Sequence, residues 1–280
     1  MITGYSNTIS VTTLAPSLLL DLYPSAAAAY SVRLLRTAYS GSAIRVRRSS
    51  DNAEQNIGFS GGNLDTTALT SFCSGTNGFV TTWYDQSGNG LNVTQTTAIN
   101  QPQIVSSGSV LTTNGKPSAS FDGTNDSLAT TGTPFSATEN TLIAVSKTNL
   151  IIAQYQRLFC IGAYNDGRYL GSNNSTDDML AIFNNSTLTC FGGVAITQNV
   201  SIMYNTGTNG VLWQNGSQVN TVTANNSSYG SENLYIGGDK VQTLNEFWAG
   251  IGQEFIFYPS SQSSNVAGIG TNINSYYAIY

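Results

Sequence analysis

The stretch 118-SASFDGTNDSLAT-130 sets the reading of this chain. Two short β-prone runs, 118–121 and 127–130, flank a turn made of Asp, Gly, Thr and Asn. The same unit recurs through the rest of the sequence. Further runs at 141–147, 157–161, 169–171, 179–183, 200–204, 210–214, 234–237 and 250–258 are separated by Gly, Asn and Ser clusters. Strands this short and this regularly punctuated predict an all-β sandwich or jelly roll. The run containing Ile251, Phe255 and Phe257 has the character of a central strand. No repeat is long enough for a solenoid or a propeller.

Upstream the pattern is mixed. Residues 1–22 are polar and Thr/Ser-rich and read as an extended arm preceding a sandwich over 23–280. Pro24 and the four alanines at 26–29 predict a short helix to about Ala38, ended by Gly41. Residues 43–49 alternate, with Ile44 and Val46 on one face and Arg45 and Arg47 on the other, as a half-buried strand does. Residues 64–72, with Asp65 and Thr66 as caps, predict a second short helix. Residues 79–84 form a strong strand and DQSGNG at 85–90 a tight turn. The end, 269–280, closes the fold as a short helix or strand.

Composition narrows the function. The chain has 280 residues, 40% of them apolar, enough for one large sandwich or two small domains. About a third of it is Ser, Thr or Asn and only 9% is charged. The net charge of −5 argues against nucleic acid as a partner, since phosphate binding needs a basic face. There is no histidine, so a Ser-His-Asp or Cys-His site within this chain is excluded. Cys73, Cys160 and Cys190 are an odd set that allows at most one internal disulfide; buried thiols are the plainer expectation. No apolar run approaches the roughly 18 residues of a membrane helix. The first residues lack the basic start of a signal peptide.

Five of the seven arginines lie in YSVRLLRTAYSGSAIRVRRSSDN, residues 30–52. That string, followed by GFVTTWYDQSGNG at 78–90 and QPQIV at 101–105, resembles the N-terminal block of the catalytic domain in family-54 α-L-arabinofuranosidases. Residues 116–280, from KPSASFDGTNDSLAT through WAGIGQEFIFYP to NINSYYAIY, resemble a concanavalin A/laminin-G-like jelly roll. The pairing, over roughly 24–280, is also similar to phage tail, fibre and virion-surface proteins. The resemblance implies one concanavalin A-like sandwich with an arabinofuranosidase-like block at 23–115 and a laminin-G-like block at 116–280. That family carries a nucleophilic glutamate and a vicinal cysteine pair. This sequence has no adjacent cysteines, and none of its five glutamates sits in that nucleophile motif. The resemblance therefore implies the scaffold without the sugar-cleaving machinery.

Candidate sites follow from residue type. Arg45, Arg47 and Arg48 with Asp51 and Asp85 form either an internal network or an anionic-glycan site; the network is favoured because a buried arginine needs a partner. Asp122 and Asp126 have the oxygens of a calcium loop without EF-hand spacing, and otherwise make an Asx turn. Trp213, with Asn215 beside it near a turn, is the candidate for sugar stacking, whereas Trp83 is expected in the core. Glu254 with Asp85, Asp122 or Asp166 is the best carboxylate pairing for glycoside cleavage, although Glu254 reads more simply as an exposed strand position. The expectation is a non-enzymatic phage virion-surface protein, a fibre, spike or capsid decoration. It would assemble with its own copies or other virion proteins, contact host-cell glycans, and need no cofactor beyond a calcium ion. An arabinofuranosidase-like glycoside hydrolase and a lectin-like adhesin are the alternatives.

Overall fold

The computed structural model describes residues 18–132, 138–150, 155–161, 168–172, 178–183, 186–189, 196–223, 233–238 and 246–280. Two antiparallel layers face each other, the jelly-roll-like sandwich that the short strands predict. In one layer, Ala249–Tyr258 is the spine. It pairs with Ala28–Ser31 and Ala119–Asp122 along one side and Asn140–Thr148 along the other. The layer continues through Asn199–Asn205 and Asn209–Gln214 to Ser217–Thr223. In the other layer, Glu54–Ile57, Ile44–Arg48, Gly78–Trp83, Val93–Thr94, Leu128–Ala129, Leu234–Ile236, Gln156–Ile161, Arg168–Ser172, Met179–Phe183 and Ser186–Thr189 lie side by side. Gln103–Ser106 pairs with both Gly78–Trp83 and Ala119–Asp122 and so stitches the layers together.

The core between the layers is aromatic and aliphatic. Trp83 meets Phe255 edge-on at 5.8 Å, and Phe159 meets Phe257 at 5.4 Å. Both contacts cross from one layer to the other, and all four rings are buried. T-shaped pairs of this kind add about 0.5–1.5 kcal/mol each beyond their area burial. Ile44 and Val46 point into this core, as the alternation predicts, and Trp83 is buried with them.

The helix expected from Pro24 to Ala38 is not there. Ala28–Ser31 is a strand, in register with Phe257, Ile256, Phe255 and Glu254, and all four of its residues are buried. Alanine is the best helix former in isolation, but a run of small apolar residues also suits a strand covered on both faces. Tertiary burial decided between them. The first helical turn lies earlier, at Leu19–Leu22, where Leu19 and Leu20 are buried in the core. The sandwich therefore begins inside the stretch read as an arm, of which residues 1–17 lie outside the described residues. Thr66–Phe72 is a helix whose cap is Asp65, with its carboxylate accepting from the Ala68 amide. The closing element is a helix, Val266–Tyr277, laid across the outer face of the spine layer.

Candidate functional site

The turn 122–126 lies on the rim of an open cleft of about 330 Å³. Phe79, Gln101, Gln103 and Ser120 line it, with Ile99 standing well exposed at its mouth. Ala119–Asp122 carries Ser120 and Asp122 outward while Phe121 goes into the core. The chain then doubles back through Gly123, whose φ of +76° suits only glycine at low cost. This return brings Asp126 beneath Asp122. The Asp122 carboxylate accepts from the amides of Thr124, Asn125 and Asp126, and the Asp126 carboxylate accepts from the Asp122 amide at 3.0 Å. Asp122 is exposed; Asp126 is buried. Burial, and then the Asp122 charge, push the Asp126 carboxyl up to about 7, against a smaller opposing pull from its hydrogen bond to the Asp122 amide. The cleft thus holds a carboxyl that is half-protonated near neutrality beside a second, solvated one. Among the described residues no cluster of three or more Cys, Asp or Glu side chains is placed to hold a metal ion.

The arginine block separates into individual contacts. Arg48 pairs with Asp51 at 2.7 Å and holds its carboxyl down at about 2; Arg45 pairs with Glu54 at 2.5 Å. Arg47 lies over the Phe79 ring at 4.9 Å and donates to Gln101, Asn52 and the Ala98 carbonyl. It therefore braces the wall of the cleft from behind. Asp85 meets none of the three. Its carboxylate accepts from the amides of Ala29, Ser87 and Leu91 and from the Ser87 hydroxyl. Next to it Gln86 accepts from the Leu35 amide and donates to the carbonyls of Ser31 and Arg33. DQSGNG is a clasp around residues 26–35 and not a partner of Arg45, Arg47 or Arg48.

Trp213 is half-buried and packs on the core, with its indole N–H enclosed. Asn215 is spent on its turn, accepting from the Val200 amide and donating to Asn199. Glu254 is fully buried, not exposed. Arg33 donates to it from Nε at 2.7 Å and from Nη2 at 2.9 Å, and Ser31 and Tyr277 add hydroxyl bonds. A second buried pair, Arg157 with Glu246, stands against Tyr169 on the other layer. Sequence reading misses both arginine–glutamate pairs because each joins distant segments. Asp166 and Cys190 lie outside the described residues. Cys73 is buried beneath Gly78, and Cys160 is buried beside Tyr169.

Residues 21–120 match the family described as "Alpha-L-arabinofuranosidase B, catalytic". The front of this sandwich resembles an arabinofuranosidase. A probable alpha-L-arabinofuranosidase B of Aspergillus terreus is 43% identical over 74 residues, 26% of this chain and 15% of that protein. Its counterpart in Aspergillus fumigatus is 42% identical over the same length. The matched stretch is thus a small part of those relatives. Among solved structures, a mutant GH54 a-l-arabinofuranosidase soaked with 4-nitrophenyl a-l-arabinofuranoside superposes with a TM-score of 0.71 at 18% identity. The match covers 93% of this chain and 65% of that one. A second GH54 structure, soaked with a cyclic sulfate inhibitor, gives 0.72 at 16% identity. At such identities the superposition speaks for the fold alone. The sequence matches overturn the expectation of a non-enzymatic phage virion-surface protein, because the relatives they name are glycoside hydrolases. The virion location falls with it, the curated relatives being proteins of Aspergillus.

Proposed function

We propose that this chain is a glycoside hydrolase acting on α-L-arabinofuranosides, with Asp126 as proton donor and Asp122 as its partner carboxylate. The observation that carries the reading is the cleft carboxyl of Asp126, raised to about 7 beside Asp122. Glycoside cleavage needs one carboxylic acid to protonate the leaving oxygen and one carboxylate to meet the positive charge that develops at the anomeric carbon. Two adjacent carboxyls in unlike surroundings supply those roles. In this scheme the Asp126 proton passes to the glycosidic oxygen and the bond to the anomeric carbon breaks. Water adds to that carbon, and the proton it sheds goes to Asp122. The two buried glutamates are poorer choices, since Glu254 and Glu246 each face an arginine in the interior. The resemblance over 21–120 supports the substrate class, and Gln103 and Ser120 on the cleft wall bring polar groups suited to sugar hydroxyls.

The test is release of 4-nitrophenol from 4-nitrophenyl α-L-arabinofuranoside. The chain is expected to turn it over, and Asp126→Asn and Asp122→Asn to lose about 100-fold or more. Activity should fall as the pH rises through about 7, because the acid form of Asp126 is the working one. Turnover that survives both substitutions moves the chemistry to other carboxylates. No turnover on any arabinofuranoside sinks the reading.

A further inference from the structure

A second cleft, of about 480 Å³, opens on the outer side of the spine layer. Three segments line it together with Leu18, Arg33 and Leu34. Gly61, Gly62 and Asn63 come from the turn between Phe59–Ser60 and Asn63–Leu64. Lys116 comes from the hairpin Thr112–Thr113/Lys116–Pro117, whose Asn114 is tied to the carbonyls of Tyr277 and Ala278. Asn272, Ser275 and Tyr276 come from the closing helix. The walls are fixed to one another: the Tyr276 hydroxyl donates to Asn63 at 2.7 Å, and Arg33 Nη1 donates to Asn272 at 3.0 Å.

The charge of this cleft is the reverse of the molecule's. The chain is net negative, yet no carboxylate lines the opening. Arg33 is neutralised from behind by Glu254. Lys116 has no such partner among the described residues; its ammonium sits 4.0 Å from the centre of the Tyr276 ring, which leaves its charge unneutralised. Residues 1–17, which lead into Leu18 at the cleft edge, contain no Asp or Glu, so they bring no counter-charge either. The same cleft is lined by the amides of Asn63 and Asn272, the Ser275 hydroxyl and glycine backbone, groups that bind sugar hydroxyls, beside the apolar Leu18 and Leu34.

We propose that this cleft binds a carboxylate-bearing saccharide, a uronate residue, with Lys116 as counter-ion to its carboxylate and Asn63, Asn272 and Ser275 meeting its hydroxyls. The site is separate from the Asp126 cleft and does not depend on the hydrolytic reading. Its test is calorimetric titration of the full chain with a xylo-oligosaccharide carrying one D-glucuronate, against the unsubstituted oligosaccharide of the same length. The acidic ligand is expected to bind, more weakly as salt rises. Lys116→Gln should weaken it roughly tenfold or more, and Lys116→Arg should restore most of the affinity. Asp126→Asn should leave it unchanged, which separates this site from the proposed catalytic cleft. Equal binding of both oligosaccharides, no binding of either, or indifference to Lys116→Gln in a variant with native near-UV dichroism overturns the proposal. Displacement by acetate as readily as by free glucuronate also overturns it, because that would mark a bare anion site.

Discussion

Replacing Asp126 with Asn tests the electrostatics of the first cleft without touching its shape. The asparagine oxygen can still accept from the Asp122 amide, so the turn survives. What disappears is a titration. In the native state this carboxyl sits at about 7, against roughly 3.9 for an unfolded aspartate. The native state therefore holds the proton more tightly than the unfolded state. Below about 4 both states are protonated and the group is neutral with respect to stability. As the pH climbs from there to 7, the unfolded chain ionises freely while the folded one does not, and stability falls. A shift of about three units at about 1.4 kcal/mol each sets an upper bound of about 4 kcal/mol on the loss. Urea unfolding of the two proteins at pH 4 and at pH 8 reads this directly. At pH 4 their stabilities should nearly coincide. At pH 8 Asp126→Asn should be the more stable by between about 1 and 4 kcal/mol. A difference that is the same at both values, or a wild type that gains stability across the interval, refutes the argument that burial and Asp122 raise this carboxyl.

Other outcomes follow from the interior. Glu254→Ala strands the Arg33 guanidinium in a buried site and should cost about 3–5 kcal/mol in urea unfolding. Asp85→Ala leaves the amides of Ala29, Ser87 and Leu91 without their acceptor and should cost about 3 kcal/mol or more, with faster amide exchange at Ala29 and Leu91. Gly78→Ala drives a methyl to within 2.7 Å of the Cys73 sulfur and 3.1 Å of Val46 and Val105, and should lower the melting temperature clearly. By contrast, Arg45→Ala removes only a surface pair with Glu54 and should leave the melting temperature essentially unchanged.

Local signals in the sequence are legible where the local chain decides the outcome. Asp65 caps its helix because its side chain reaches only three residues ahead. Ile44 and Val46 alternate with Arg45 and Arg47 because one face of that strand is solvated. The failures share one cause, a partner distant in sequence. Ala28 and Ala29 became strand because Phe257 and Ile256 lie alongside. Glu254 reads as solvent-facing because alternation assumes one wet face, yet the closing helix covers that face and Arg33 supplies the counter-charge. Asp122 and Asp126 are visible as a turn. The cleft beside them is not, because Phe79, Gln101 and Gln103 arrive from other segments.

The pairing of Ala28–Ser31 with Ala249–Tyr258 has a consequence for how the molecule comes into being. An early strand hangs on one of the latest, across more than two hundred residues of intervening chain. The stretch 21–120, recognisable as it is, holds one edge of that strand through the 85–91 clasp but has no partner strand for the other edge, which stays open until residues 249–258 have been synthesised. On the ribosome the front block waits as an open half, with an unpaired hydrogen-bonding edge exposed to chaperones or to a neighbouring nascent chain. Cutting the chain after residue 120 should yield an aggregate in place of a small domain. The recognisable unit and the foldable unit are thus different lengths of the same polypeptide.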